Sequence, residues 1–210
     1  MTTAAFAAAV LAGGHSRRMG RDKALIEVGG KTMVERVVER ARTAGADPVA
    51  IVGHRRPELL PAAVAGLVIG DEQPGTGPLG GLLTAVSWTP CQVVLVLACD
   101  LPDLDPADLA RLAGAVQGAR LVAVLTGPRG REPLVAAWHR ATTADLRQAL
   151  QSGARAMHEV LDGLGAAVAE VPVADTASLR NVNRPQDLAV DRSEQVTPSP
   201  SPARRAGGLG

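Results

Sequence analysis

Aromatic residues are nearly missing from this chain: one Phe, two Trp and no Tyr stand among 210 residues. Single-stranded nucleic acid is held by stacking bases on aromatic rings, so this shortage counts against that class of partner. Charge of one sign is missing too. The 22 basic and 21 acidic residues leave a formal charge of +1, which gives no footprint for DNA and none for a cationic partner. Two cysteines, Cys91 and Cys99, are too few for a disulfide framework or a zinc site. They read as reduced, core-associated thiols of a cytoplasmic protein. No run approaches the roughly twenty apolar residues of a membrane span. The apolar stretch 4–11 has no Lys or Arg before it and its positive charge after it, the reverse of a secretory leader.

What is present is enough Ala, Val and Leu to build a core, at 46% hydrophobic residues, so global disorder is excluded. Apolar runs at 4–11, 49–52, 67–69, 92–98, 121–125, 132–138 and 166–171 predict strands. The 92–98 run is apolar on both faces, as a central strand of a parallel sheet must be. Helices are predicted at 32–44, 78–88, 106–116, 142–150, 154–161 and 185–190. Thr32 and Asp105 stand at N-cap positions, and Gly45 at a stop. The short Gly-Pro-Arg-Gly-Arg link before 132 predicts an antiparallel excursion. Together these give an α/β fold: a single doubly wound, mostly parallel Rossmann-like sheet with helices on both faces. Residues 1–192 form the domain, and 193–210, rich in Pro and Gly, read as a disordered tail.

In such folds ligands sit outside the carboxyl ends of the strands. Residues 11–23 leave the first strand with Gly13, Gly14 and Gly20, two adjacent arginines and Lys23. Glycines let backbone N–H groups approach a ligand, and cations answer phosphate charge, so this loop is expected to hold a polyphosphate. Of the two arginines, Arg18 is favoured over Arg17 for phosphate because it abuts Met19-Gly20. Asp100 follows the buried 92–98 strand, where one carboxylate suits Mg²⁺, an ion that keeps waters and bound phosphates as its other ligands. Asp71 ends a shorter strand and is evenly balanced between the same crevice and an ordinary turn. Two familiar patterns fail. Gly30-Lys31-Thr32 lacks the P-loop glycine, which would fall at Leu25, and Gly75-x-Gly77-x-x-Gly80 does not leave a strand directly. The four histidines have no metal-ligand spacing and lie near no nucleophile signature. Direct displacement at phosphorus is therefore expected.

The motifs Leu11-Ala12-Gly13-Gly14-x-Ser16-x-Arg18-Met19-Gly20-x-Asp22-Lys23 and Gly75-x-Gly77-Pro78-Leu79-Gly80-Gly81 come first in the chain. Ala98-Cys99-Asp100-Leu101-Pro102, the Glu132–Ala136 strand and Asn181-Val182-Asn183 follow in order. Together they resemble the molybdenum cofactor guanylyltransferases of the nucleotidyltransferase superfamily, from about residue 7 to 190. The resemblance implies that Leu11, Ala12, Gly13 and Gly14 lie against guanine and ribose, and that Lys23 meets the triphosphate. It further implies Asp71 in the nucleotide pocket, Gly77 and Gly81 in its wall, and Asp100 on Mg²⁺. Arg155, Asn181 and Asn183 would receive the pterin, while Lys23, Asp100 and Arg18 carry catalysis. The implied reaction moves GMP from GTP to the terminal phosphate of molybdopterin, with transient contact to cofactor-delivering or acceptor molybdoenzymes. The chain departs from the family at Gly53-His54, where an asparagine is common.

Three rivals share parts of this pattern. A cytidylyltransferase for the same pterin tends to carry Ala-Ala-Gly at positions 12–14. A sugar-1-phosphate nucleotidyltransferase shares the first loop and the aspartate, but not the Asn-Val-Asn segment. A non-catalytic nucleotide-binding chaperone is disfavoured by intact Lys23 and Asp100.

Overall fold

The computed structural model describes residues 5–13, 22–154 and 156–182. The predicted 185–190 helix and the 193–210 tail lie outside them. Strands β1 (Phe6–Leu11), β4 (Val49–Val52), β5 (Val68–Ile69), β6 (Val93–Ala98), β7 (Val122–Gly127), β8 (Gly130–His139) and β9 (Val168–Pro172) form one sheet. Its order is β5-β4-β1-β6-β8-β7-β9. Strands β2 (Glu27–Val28) and β3 (Lys31–Thr32) pair as a separate small hairpin.

Every pairing among β5, β4, β1 and β6 is parallel, and so is β7 with β9. Only β8 runs the other way, antiparallel to β6 on one side and to β7 on the other. The expected antiparallel excursion is thus built into the interior of the sheet. Its register with β7 jumps from Val124↔Ala136 to Leu125↔Glu132, leaving residues 133–135 as an irregularity where Pro133 has no N–H to give to a ladder.

Side chains alternate across a strand, and here both faces are covered. Ala8, Val10, Leu95 and Leu97 face a core shared with α1 (Met33–Thr43) and α4 (Pro106–Ala115). Ala7, Ala9, Val94 and Val96 face the other, shared with α3 (Pro78–Trp88), α5 (Thr143–Gln151) and α6 (Met157–Leu164). All six residues of β6 are buried, as its two-sided apolar sequence requires. Trp138 on β8 is the largest fully buried side chain. A short helix, α2 (Ala62–Ala65), adds Val64 to the first core.

The helix starts follow from local chemistry. Thr32 caps α1 in a reciprocal box: its hydroxyl accepts from Glu35 N, and Glu35 Oε2 accepts from Thr32 N at 2.8 Å. Such a box satisfies two of the four orphan N–H groups of the first turn. Asp105 accepts from Ala107 N at 2.8 Å ahead of Pro106. In α3, residues 79–86 are buried without a break, because this helix lies between the sheet and α5.

Candidate active site

The carboxyl ends of β1, β4, β5 and β6 converge on one edge, as parallel pairing dictates. Beyond β1 the ladder continues, with Ala12 N donating to Val52 O at 3.1 Å, and Gly53 N donates to Ile69 O at 3.2 Å. These bonds bring Gly13 against Gly53 so closely that a Cβ on Gly13 would stand 3.2 Å from Gly53 O. Gly53 itself has φ +76°, a left-handed conformation that glycine adopts without strain. A Cβ there would meet Gly13 Cα at 3.3 Å and Asp71 Cβ at 3.6 Å. Asp71 therefore stands at this edge, and its carboxylate also builds a turn: Oδ1 accepts from Gln73 N at 2.9 Å and from Thr84 Oγ1 at 3.3 Å.

The loop into α3 is fixed by glycine. Gly77 has φ +74° at the helix cap. A Cβ on Gly80 would overlap Thr76 Oγ1 and lie 2.7 Å from Gln73 O. Gly81 is buried under Leu11, with 3.3 Å between its notional Cβ and Leu11 Cδ2. Its part in the edge is thus to let the end of β1 settle on α3.

Lys23 and Asp100, 77 residues apart in sequence, meet here: Lys23 Nζ donates to Asp100 Oδ2 at 3.3 Å. Their side chains are 24% and 21% exposed, sheltered enough to strengthen the attraction and open enough to reach a ligand. Lys23 opens a single 3₁₀ turn capped by Asp22, whose side chain accepts from Ala24 N at 3.1 Å. His54, which follows Gly53 after β4, is buried. Its Nε2 lies 3.1 Å from Asp22 Oδ2 without hydrogen-bond alignment.

Cys99 precedes Asp100. Burial, reinforced by the Asp100 carboxylate, pushes its thiol up to about 12, so it is a protonated apolar neighbour and no nucleophile. Both cysteines are free. Among the described residues no three His, Cys, Asp or Glu gather to hold a metal. A lone Asp100 carboxylate at this strand-end edge still fits Mg²⁺, which takes one or two carboxylates and fills its remaining positions with phosphate oxygens and water.

Asn181 reaches the same edge from the far end of the chain. Val182 N donates to Asp100 O at 2.9 Å, and Val182 is fully buried. The Asn181 Oδ1 is buried and has no hydrogen-bond partner among the described residues. Beside it, a cleft of about 460 Å³ opens between the β7–β8 turn and residues 176–181, with Arg129, Glu132 and Arg180 on its walls. Of the residues singled out in the sequence, Leu11, Ala12, Gly13, Lys23, Asp71, Gly77, Gly81, Asp100 and Asn181 come to this edge or support it. Gly14, Arg18, Arg155 and Asn183 lie outside the described residues.

Sequence reasoning missed Asp103. Its Oδ1 accepts from Arg36 Nη2 at 2.8 Å, and its Oδ2 from Arg180 Nη2 at 2.8 Å and Nε at 3.2 Å. Burial pushes this carboxyl up, but the Arg180 and Arg36 guanidiniums outweigh it and hold it below the ordinary aspartate value.

The chain is similar to known proteins. A family model described as a MobA-like NTP transferase domain matches residues 8–169. A probable molybdenum cofactor guanylyltransferase from Opitutus terrae is 37% identical, covering 91% of this chain and 97% of that one. Another from a Nostoc species is 34% identical over 94% of this chain and 97% of its own. The crystal structure of molybdopterin-guanine dinucleotide biosynthesis protein A from Archaeoglobus fulgidus superposes with a TM-score of 0.71 at 26% identity. That match covers 86% of this chain and 94% of that protein.

Proposed function

The chain belongs to the MobA-like NTP transferase domain family, and from that premise we propose that it transfers GMP from GTP to the terminal phosphate of molybdopterin. The observation that carries this reading is the 3.3 Å pair between Lys23 and Asp100 at the shared carboxyl end of the sheet. A cation and a carboxylate held together there are what a metal-bound triphosphate needs.

In the reaction an oxygen of the acceptor phosphate forms a bond to the α-phosphorus of GTP. The bond from that phosphorus to the bridging oxygen breaks, and pyrophosphate leaves with the electron pair. Two anions must approach each other, so alignment and charge neutralisation supply most of the rate. Lys23 places its ammonium on the triphosphate. Asp100 would hold Mg²⁺, whose chemistry when bound is to neutralise phosphate oxygens. Leu11, Ala12, Gly13 and Gly14 offer backbone to the nucleoside, Asp71 and Gly77 close its pocket, and Gly81 seats the end of β1. Arg18 is assigned in this reading to phosphate charge. The acceptor enters on the side of Asn181, whose buried Oδ1 is a ready partner for a ligand donor, and the resemblance assigns Arg155 and Asn183 to the same pterin. Residues 1–192 constitute the transferase domain in this reading, and 193–210 its tail.

The test is pyrophosphate release with each of the four nucleoside triphosphates, with and without molybdopterin. GTP together with the pterin is expected to give the fastest release. Faster release with CTP would make the chain a cytidylyltransferase. GTP binding with no release in any mixture would leave a nucleotide-binding chaperone.

A further inference from the structure

Arg180 directly precedes Asn181 in the chain, and its guanidinium bonds twice to Asp103. Asp103 lies three residues beyond Asp100 on the loop leaving β6 and is 15% exposed. The second oxygen of the same carboxylate receives Arg36 from α1, and Arg36 Nη1 also donates to Val28 O at 3.3 Å in β2. One partly buried acid thus ties three separated pieces of chain: the helix behind the Lys23 turn, the Asp100 loop and the segment bearing Asn181. Next to it, Val182 N donates to Asp100 O at 2.9 Å, and the Val182 side chain is fully buried.

We propose that Asp103 is a positioning residue: by engaging Arg36 and Arg180 together it fixes the Asn181–Val182 segment on the Asp100 loop and thereby sets acceptor binding. The proposal rests on the transferase reading for its kinetic half only. Its physical half, attachment of the segment, stands on the geometry. Arginine forks on a carboxylate fix direction as well as distance. Without the Arg180–Asp103 bonds the segment keeps the Val182 backbone bond and the buried Val182 side chain, but loses the guanidinium anchor directly beside Asn181.

The experiment compares Asp103→Asn and Arg180→Met with wild type in three readouts. First, KM for molybdopterin is expected to rise about tenfold in each variant while KM for GTP stays within about twofold, the signature of lost acceptor placement. Second, amide hydrogen exchange at Val182 is expected to speed up about tenfold or more, with β1 and β6 unchanged. Third, the double variant should be no worse than the poorer single one, because both remove the same link. Arg180→Met leaves the Arg36–Asp103 pair intact, so it reports on the segment even where Asp103→Asn folds poorly. Unchanged Val182 exchange and unchanged acceptor KM overturn the proposal, and so does an equal rise in both KM values. If wild type itself releases no pyrophosphate, the transferase reading fails, and Val182 exchange alone decides whether Asp103 holds the segment.

Discussion

Replacing Lys23 by Met separates what the Lys23–Asp100 pair does for folding from what it does for chemistry. Unit charges at 3.3 Å attract by about 5 kcal/mol at an effective dielectric of about 20. Both groups keep between a fifth and a quarter of their surface in water. They also give up hydration and side-chain freedom, so the net folding share is about 1 kcal/mol or less. For a chain of this size that corresponds to a fall in Tm of about 2–4 °C. In the proposed mechanism the same ammonium acts on phosphate charge, and losing one such group costs about 10²–10³ in turnover, or about 2.7–4 kcal/mol. Lys23→Met should therefore melt almost like wild type and turn over hundreds of times more slowly. Thermal denaturation and pyrophosphate release on the same preparation measure both. Turnover within about threefold of wild type would remove Lys23 from the phosphates. A Tm loss above about 10 °C would show that the pair is chiefly structural.

Three further expectations follow from single contacts. Gly80→Ala drives a methyl into Thr76 Oγ1 and toward Gln73 O; urea unfolding should show a loss of about 1–3 kcal/mol, and KM for GTP should rise as the loop shifts. Cys99, with its thiol pushed up to about 12, should resist iodoacetamide at pH 8 in the folded protein and react once urea unfolds it. The carboxyl of Asp103 is held below its ordinary 3.8 in the fold, so its contribution is complete above that value and fades as pH falls through the lower folded value. The stability gap between wild type and Asp103→Asn, measured by urea unfolding, should accordingly be largest near neutrality and close in acid below about pH 4. A gap that widened in acid would reverse the assigned sign.

The legible parts of the fold were those decided by local chemistry. Thr32 with Glu35, Asp105 before Pro106, and the two-sided apolar run ending at Ala98 each announce an element within a few residues. The meeting of Lys23 with Asp100 was legible at one remove, because parallel strands put their carboxyl ends on one edge. The hairpin of β2 and β3 was not, since two residues per strand carry no periodicity. The Arg36–Asp103–Arg180 link spans 67 and 77 residues, and in sequence each member looks like an ordinary solvated charge. His54 was readable only as a departure from a family pattern; its burial beside Asp22 is a tertiary fact.

Because β8 opposes its neighbours, the turn at 127–130 hands the chain back at the very end of the sheet where β6 delivers Asp100. Of the described residues assigned to GTP, Leu11, Ala12, Gly13 and Lys23 lie on or after β1, Asp71 after β5, Gly77 and Gly81 at the start of α3 and Asp100 after β6, and none stands on β7, β8 or β9. In the proposed function these residues and the turn at 127–130 therefore stand on opposite sides of the β6–β8 pairing. Surface turns accept insertions far more readily than strands, so exchanging the few residues of this tip is the smallest graft that would retune the incoming partner while sparing the triphosphate machinery.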